Sequence, residues 1–207
     1  MALISDDDKQ RVEAAIAKAE RNTSGEIVAV IAADSGSYLH APFLWAALVA
    51  LALPWPFIHW TWWPIQHIYV LQICVFAALS AILMYEPLRL ALVPRSIKQA
   101  RAHRRAVEQF LVQNLHTTQG RTGVLIFVSA AERFAEVLAD AAVHQKVPED
   151  TWQRIVHDLT DHIGRGEAAE GFVRAIEAIG SHLAQHFPPG PRDPQELNNH
   201  LIVLPPE

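Results

Sequence analysis

The stretch "PWPFIHWTWWPIQHIYV" at positions 54–70 decides how this chain is organised. Four tryptophans stand within nine residues of it: Trp55, Trp60, Trp62 and Trp63. Around them, positions 35–85 contain no Asp, Glu, Lys or Arg, a run of 51 residues in a chain that is 19% charged. A helix that crosses a bilayer needs about 20 apolar residues, so this run is long enough for two. Because indoles collect at the headgroup level, the run predicts a membrane hairpin with the tryptophans at its tip.

The two predicted spans are "APFLWAALVALALPWPFI" (41–58) and "IQHIYVLQICVFAALSAILMY" (65–85), joined by "HWTWWP". Prolines within the end of the first span are expected to shorten or kink that helix. Tyr38 and Tyr85 are expected to mark the membrane surface opposite the tryptophans. The alternative is a buried helical hairpin in a soluble protein, which would need a large protein body to cover these 51 residues.

The charges that follow the second span predict the orientation of the hairpin. Positions 87–107 contain six cations and no acid: Arg89, Arg95, Lys98, Arg101, Arg104 and Arg105. Positive charge next to a span marks the cytoplasmic side, so both termini are predicted to be cytoplasmic in a bacterial inner membrane. The first four of these cations, Arg89, Arg95, Lys98 and Arg101, are expected to lie at the membrane interface, where anionic headgroups attract them. The single Cys74 cannot form an intrachain disulfide, which is compatible with a reducing compartment.

The residues before the hairpin show a helix and then a strand. Ser5 and Asp8 resemble a capping box at the start of a first helix. The run "EIVAVIAA" (26–33) is β-branched and nearly free of polar residues, which is typical of a strand covered on both faces.

The residues after the hairpin predict further helices and strands. A helix is predicted over 94–115, with an inward stripe of Ile97, Ala100, Arg104, Val107, Phe110, Leu111 and Leu115. The strand "GVLIFVS" (123–129), a hairpin partner and two amphipathic helices follow, and "HLIVL" (200–204) suits an edge strand. Since strands stand on both sides of the hairpin, it is predicted to be an insertion into one α/β domain. The predicted segments are 1–34 (first part of that domain), 35–88 (hairpin), 89–187 (second part) and 188–207 (a proline-rich tail).

Three passages in this order resemble the TPM domain family: "TSGEIVAVI" (23–31), "GVLIFVSAAERFAEVLAD" (123–140) and "GRGEAAEGFVRAI" (164–176). The family is named for a thylakoid lumen protein, Psb32 and MOLO-1, and the resemblance covers 5–34 and 96–187. It extends to a bacterial branch in which a two-span hairpin interrupts the domain. The resemblance implies a small α/β/α sandwich that works beside a large membrane complex. It also implies acid phosphatase activity in some members, and binding of Ca²⁺ or a similar ion in others.

A divalent-cation site is a hypothesis for the segment that follows the second strand and its hairpin partner. Asp140, Glu149 and Asp150, with His144 between them, lie close together in sequence, and Ca²⁺ takes six to eight oxygen ligands. The resemblance implies that Asp140 retains an acidic position of the family, although the segment "VLADAAVHQKVPED" is shorter than in many members and has no glycine. The other interpretation is structural: Asp140 ends a strand, and Glu149 and Asp150 offset a helix dipole.

The sequence favours a role without catalysis. It contains no P-loop, no GxGxxG and no GxSxG, so no catalytic residue is predicted. Positions 106–207 hold 14 acids and only 7 Lys or Arg, which argues against nucleic acid as a partner. The expected partners are the lipid bilayer and an integral membrane complex, with the chain as an accessory, assembly or scaffold protein. A metal-dependent phosphatase-like hydrolase and a protein that self-assembles through its hairpin are the alternatives.

Overall fold

The apolar runs on either side of the uncharged stretch form the central strands of one sheet. Strand β1 (Ile27–Ala32) pairs in parallel with β2 (Val124–Ser129), and every residue of both strands is buried. Strand β3 (Phe134–Ala139) runs antiparallel to β2, and β4 (Leu201–Leu204) runs parallel to β1. The order is therefore β3-β2-β1-β4, with the C-terminal strand at one edge.

The computed structural model describes residues 4–36, 38, 40–190, 197–198 and 200–206. The chain divides into two compact units. The sheet unit comprises Met1–Gly36 and Gln99–Glu207, and the hairpin unit comprises Ser37–Lys98. The helices, in chain order, are α1 (Asp6–Glu20), α2 (His40–Ala52), α3 (Pro54–Trp60), α4 (Ile65–Leu83), α5 (Glu86–Ala91), α6 (Arg95–Val112), α7 (Ala141–Lys146), α8 (Glu149–Gly164) and α9 (Ala168–His186).

Helices cover both faces of the sheet, which confirms the predicted α/β/α sandwich. The odd-numbered residues of β1 face α1, α8 and α9, where Ile16, Leu159 and Ile176 are buried. The even-numbered residues face α6, where Ala102 and Ala106 are buried. Successive strand residues point to opposite faces, so a strand covered on both sides must be apolar throughout.

The outer layers begin and end at residues suited to helix termini. The Ser5 hydroxyl accepts from the Asp8 amide at 3.1 Å and donates to the Asp8 carboxylate at 2.8 Å, so Ser5 caps α1. After α8 the chain turns at Gly166, whose φ of +80° belongs to the left-handed region that glycine adopts without strain. The turn brings α9 back against α8 on the same face of the sheet.

The inward stripe predicted for α6 is correct for Leu115 and Phe110, which pack in the core, and wrong for Val107 and Leu111. The buried residues of α6 are Ala102, Ala106 and Gln109, whereas Val107 and Leu111 are exposed. Small alanines let the helix axis approach the sheet closely, and this contact selects a face that apolar size does not indicate.

The described residues of the hairpin unit form α2, α3, α4, α5 and the first residues of α6. Helix α2 ends at Ala52 and α3 begins at Pro54, so the prolines stand in the first turn of a new helix, where their missing amides cost nothing. Helix α2 packs along α4, and Ala46, Ala50 and Ile68 are buried between them. Two helical segments are long and apolar enough to span a membrane, each with a mean hydropathy of 1.8. The first is His40–Trp60, which comprises α2 and α3, and the second is α4 (Ile65–Leu83).

Candidate functional site: the apolar hairpin and the sheet edge

The outer surface of the hairpin unit is apolar. In the most apolar window of each candidate span, only 17% and 11% of the residues are buried. Large side chains that the described chain leaves exposed include Leu44, Trp45, Leu48, Leu51, Val70, Ile73 and Ile82. A soluble protein rarely exposes so much contiguous apolar surface, so the hairpin surface is suited to lipid or to apolar protein.

The predicted interfacial aromatics fall into two groups. Trp55, Trp60, Trp62, Trp63 and Tyr85 are exposed, and Trp62 is exposed completely. The indoles cluster by edge and tilted contacts, with 6.5 Å between the ring centroids of Trp55 and Trp60 and 5.6 Å between those of Phe57 and Trp63. These contacts join Trp55 to Trp60 and Trp63 to Phe57.

Tyr38 differs from the other aromatics that were predicted to lie at the interface. It is only 3% exposed, so its ring is enclosed by protein. The sequence pattern, which marks tyrosines beside an apolar run, does not distinguish an enclosed ring from an interfacial one.

The predicted cations differ in how much the protein uses them. Arg95 is exposed, and Lys98 donates to the Leu90 carbonyl at 3.3 Å. Arg89 is half-buried, and its Nε has no hydrogen-bond partner among the described residues. Arg101 is half-buried in α6. The arginines of this segment therefore include donors that the protein does not use fully.

A groove runs between α2 and α4 within the hairpin unit. Its volume is about 440 Å³, and it is lined by Ala47, Ala50, Leu51, Tyr69, Gln72, Ile73 and Phe76. The two alanines make the groove accessible to a neighbouring backbone, and the Gln72 amide supplies hydrogen-bonding groups in apolar surroundings. Small residues together with an isolated amide are typical of helix–helix contact in membranes.

A polar cluster closes the carboxyl ends of β1 and β2 in the sheet unit. The Ser35 hydroxyl donates to the Ser129 hydroxyl at 2.8 Å, the Ser129 hydroxyl donates to the Glu132 carboxylate, and the Ser35 amide donates to the same carboxylate at 3.0 Å. Ligands of open α/β sheets bind at this edge. Here the polar groups bond to one another, so the cluster ties the loops that follow β1 and β2. Sequence reasoning missed Ser35 and Glu132, because only the pairing of the two strands brings these residues together.

The structure does not group the residues of the predicted cation site. Asp140 is 5% exposed, and its carboxylate accepts from the Ala141 amide at 2.6 Å and from Arg121 Nε at 2.8 Å. This contact raises the pKa of Arg121, first through the hydrogen bond that Arg121 donates to Asp140 and then through the charge of the carboxylate. Glu149 and Asp150 are exposed in the first turn of α8, where Asp150 lies 3.6 Å from Arg154. Among the described residues, no three His, Cys, Asp or Glu side chains are placed to hold a metal ion.

A second cleft, of about 520 Å³, lies at the start of α9. Its lining includes Arg11, Glu170 and Arg174. The Glu170 carboxylate accepts one hydrogen bond from Arg11 at 3.1 Å and one from Arg174 at 3.2 Å. The hydrogen bond from Arg174 is the main reason that the pKa of Glu170 is lowered, with Arg11 adding to it. His162 also lines the cleft, and its Nδ1 donates to the Asp158 carbonyl at 2.8 Å. The charges of this cleft are therefore already paired between α1 and α9.

Comparisons with known proteins relate part of this chain to a described domain family. Residues 87–182 match the family model described as the TPM domain. The structure is similar to the NMR structure of the BA42 protein from the psychrophilic bacterium Bizionia argentinensis, with a TM-score of 0.61, 18% identity, and coverage of 97% of this chain and 94% of that chain. At this identity the likeness establishes the fold alone. No curated protein matches this chain.

Proposed function

We propose that this chain, of which residues 87–182 match the TPM domain, is an accessory, assembly or scaffold subunit that holds this domain beside a larger complex in a membrane. The groove between α2 and α4 is the observation that carries the proposal. Two candidate spans with an apolar outer surface would place the hairpin in a bilayer, and the groove would then receive a helix of the partner.

The lining of the groove supports a protein partner in addition to lipid. Lipid chains can cover an apolar groove, but they cannot pair with the Gln72 amide. An interhelical hydrogen bond satisfies that amide and contributes about 0.6 kcal/mol, and Ala47 lets the incoming backbone approach closely. Tyr69, on the same lining, adds a hydroxyl to the polar groups.

The membrane and its orientation belong to the same proposal. We place the protein in a bacterial inner membrane with two spans and both termini in the cytoplasm, because the cations follow the second span while the tip between the spans has none.

Co-purification from native membranes tests this function. The tagged full-length chain is extracted in a gentle detergent, and its partners are identified and counted by mass spectrometry. Ala47→Phe, which fills the groove, is expected to remove most of the co-purifying complex, and Gln72→Leu to weaken it about threefold. Ala81→Phe is the matched control, since Ala81 is an exposed residue of α4 outside the groove lining.

The outcomes separate the alternatives. Recovery of a stoichiometric membrane complex that Ala47→Phe abolishes and Ala81→Phe leaves intact supports the accessory role. Recovery of the chain only with copies of itself would instead favour self-assembly through the hairpin. If neither a membrane complex nor a second copy of the chain were recovered, metal-dependent release of phosphate from a phosphomonoester would favour the hydrolase.

A further inference from the structure

Helix α6 exposes a face that combines cations with large apolar side chains. Ala102, Ala106 and Gln109 point to the sheet, so the opposite side of the helix points away from it. That outward face carries Arg101, Arg104, Val107, Glu108, Leu111 and Val112. Val107 is 38% exposed, Leu111 51% and Val112 65%, so the described residues leave these aliphatic side chains largely uncovered.

The charge of this face is positive. Glu108 is the first acid after position 86, and it lies 3.6 Å from Arg105, which balances its charge locally. Arg104 is exposed and forms no ion pair with the described residues. The face therefore presents guanidinium groups near its start and aliphatic groups near its end.

We propose that the outward face of α6 binds the surface of an anionic bilayer. Arg101 and Arg104 would contact headgroup phosphates, and Val107 and Leu111 would enter the boundary between headgroups and acyl chains. Helices with a basic polar side and aliphatic residues lie in this interface, and each added cation strengthens attraction to anionic lipid about fivefold. The inference rests on the proposed membrane location, because α6 is separated from the second candidate span only by the short helix α5.

The mixed character of the face selects lipid as the occupant. A partner helix that covered Val107 and Leu111 would also need acidic side chains opposite two neighbouring arginines. Those acidic side chains would have to lie among the apolar residues of the partner's contact face. An anionic bilayer supplies phosphates and acyl chains side by side at any register. The guanidinium group suits the phosphate in particular, because it donates two parallel hydrogen bonds.

Quenching by spin-labelled lipid tests the inference in the full-length chain. A fluorophore is attached at Leu111→Cys in a Cys74→Ser background, and the protein is reconstituted in vesicles of phosphatidylcholine, with or without about a third phosphatidylglycerol. We expect the nitroxide lipid to quench this label severalfold more strongly in the anionic vesicles. Arg101→Glu combined with Arg104→Glu should reduce quenching to the level of the neutral vesicles.

Two further labels make each outcome decisive. Ser181→Cys, in the same Cys74→Ser background, labels an exposed site of α9 on the other face of the sheet and should not be quenched. A label on the native Cys74, exposed on α4, reports on the spans themselves. Quenching at Cys74 without quenching at position 111 would overturn this inference and leave the proposed function standing. Equal quenching at 111 with and without anionic lipid would also overturn it, and absence of quenching at Cys74 would overturn the membrane proposal.

Discussion

Asp140 shows at the scale of one residue how a candidate ligand serves the fold. Its carboxylate caps α7 through the Ala141 amide and accepts from Arg121, and its own amide donates to the Gly123 carbonyl at 2.9 Å. The side chain thus joins the end of β3 to the loop that precedes β2. These contacts use two of the roughly four acceptor positions of an ionised carboxylate.

We expect Asp140→Ala to lower the free energy of unfolding by about 1–2 kcal/mol, the usual cost of a lost helix cap. Urea unfolding followed by circular dichroism measures the change. The matched control is Asp150→Ala, since Asp150 is 74% exposed and its pair with Arg154 is screened by solvent. The control should change the free energy of unfolding by no more than about 0.5 kcal/mol.

Calcium distinguishes the structural role of Asp140 from a ligand role. If Asp140 serves only the fold, millimolar Ca²⁺ should leave the melting temperature of the natural chain unchanged. A rise in melting temperature with Ca²⁺ that Asp140→Ala abolishes would restore the cation-site hypothesis, because a ligand stabilises the state that binds it.

Glu170 gives the protein a stability that depends on pH. Arg174 and Arg11 hold its pKa below the ordinary value of 4.5, so the folded state favours the ionised carboxylate. The stabilisation is complete above pH 4.5 and is lost as the pH falls through the lowered pKa. Glu170→Gln should therefore melt below the natural chain at pH 7, and the difference should close in acid. A difference that stays constant or widens on acidification would contradict this assignment.

At the scale of the element, the contact between α1 and α9 depends on a glycine. A Cβ added at Gly180 would lie 2.7 Å from the Ala19 Cβ, which is attached directly to the backbone of α1. Overpacking of this kind costs about 1–3 kcal/mol, and alanine returns about 1 kcal/mol of helix propensity. Gly180→Ala should thus destabilise the protein by about 1 kcal/mol in thermal or urea unfolding.

Gly164 provides the matched control, because a change from glycine to alanine there alters helix propensity without altering packing. It is the last residue of α8, and a Cβ added there meets no atom within 4 Å among the described residues. Gly164→Ala should leave the protein as stable as before or raise its free energy of unfolding by up to about 1 kcal/mol. If Gly180→Ala raised the free energy of unfolding as Gly164→Ala is expected to do, helix propensity and not packing would dominate at Gly180.

At the scale of the whole molecule, the sheet unit contains its own core. The buried core residues on both faces of the sheet, such as Ile16 and Leu201, belong to Met1–Gly36 and Gln99–Glu207. We expect a chain in which a flexible linker of about ten residues replaces positions 37–98 to fold as a soluble protein, since loop closure varies slowly with loop length. Cooperative thermal unfolding by circular dichroism and a single species in gel filtration would be the expected result.

The same linker chain carrying Phe127→Asp is the control, because Phe127 is completely buried and the variant should not fold. If the parent linker chain also melted without cooperativity or aggregated, the sheet unit would need the hairpin for its stability. The two units would then not be independently stable.

The local patterns of the sequence determined the elements and the fold class. An uncharged run of 51 residues specifies long apolar helices, and the β-branched runs at 26–33 and 123–129 specify strands buried on both faces. The capping serine and the tip tryptophans were likewise predictable, because each signal lies within a few residues. The order of these elements was sufficient to predict one α/β domain, and the family resemblance implied that this domain is an α/β/α sandwich.

The tertiary structure alone decided which surfaces meet. It turned Ala102 and Ala106 to the sheet and left Val107 and Leu111 outside, because close approach to a flat sheet selects small side chains over large ones. It joined Ser35 to Ser129, which are 94 positions apart, and Asp140 to Arg121, which are 19 apart. Periodicity reports the faces of one helix or strand, whereas contacts between distant residues arise only when the pairing of strands, parallel or antiparallel, brings the strand ends together. The apolar helices and strands could therefore be predicted from the sequence, whereas the polar contacts between distant residues could be found only in the tertiary structure.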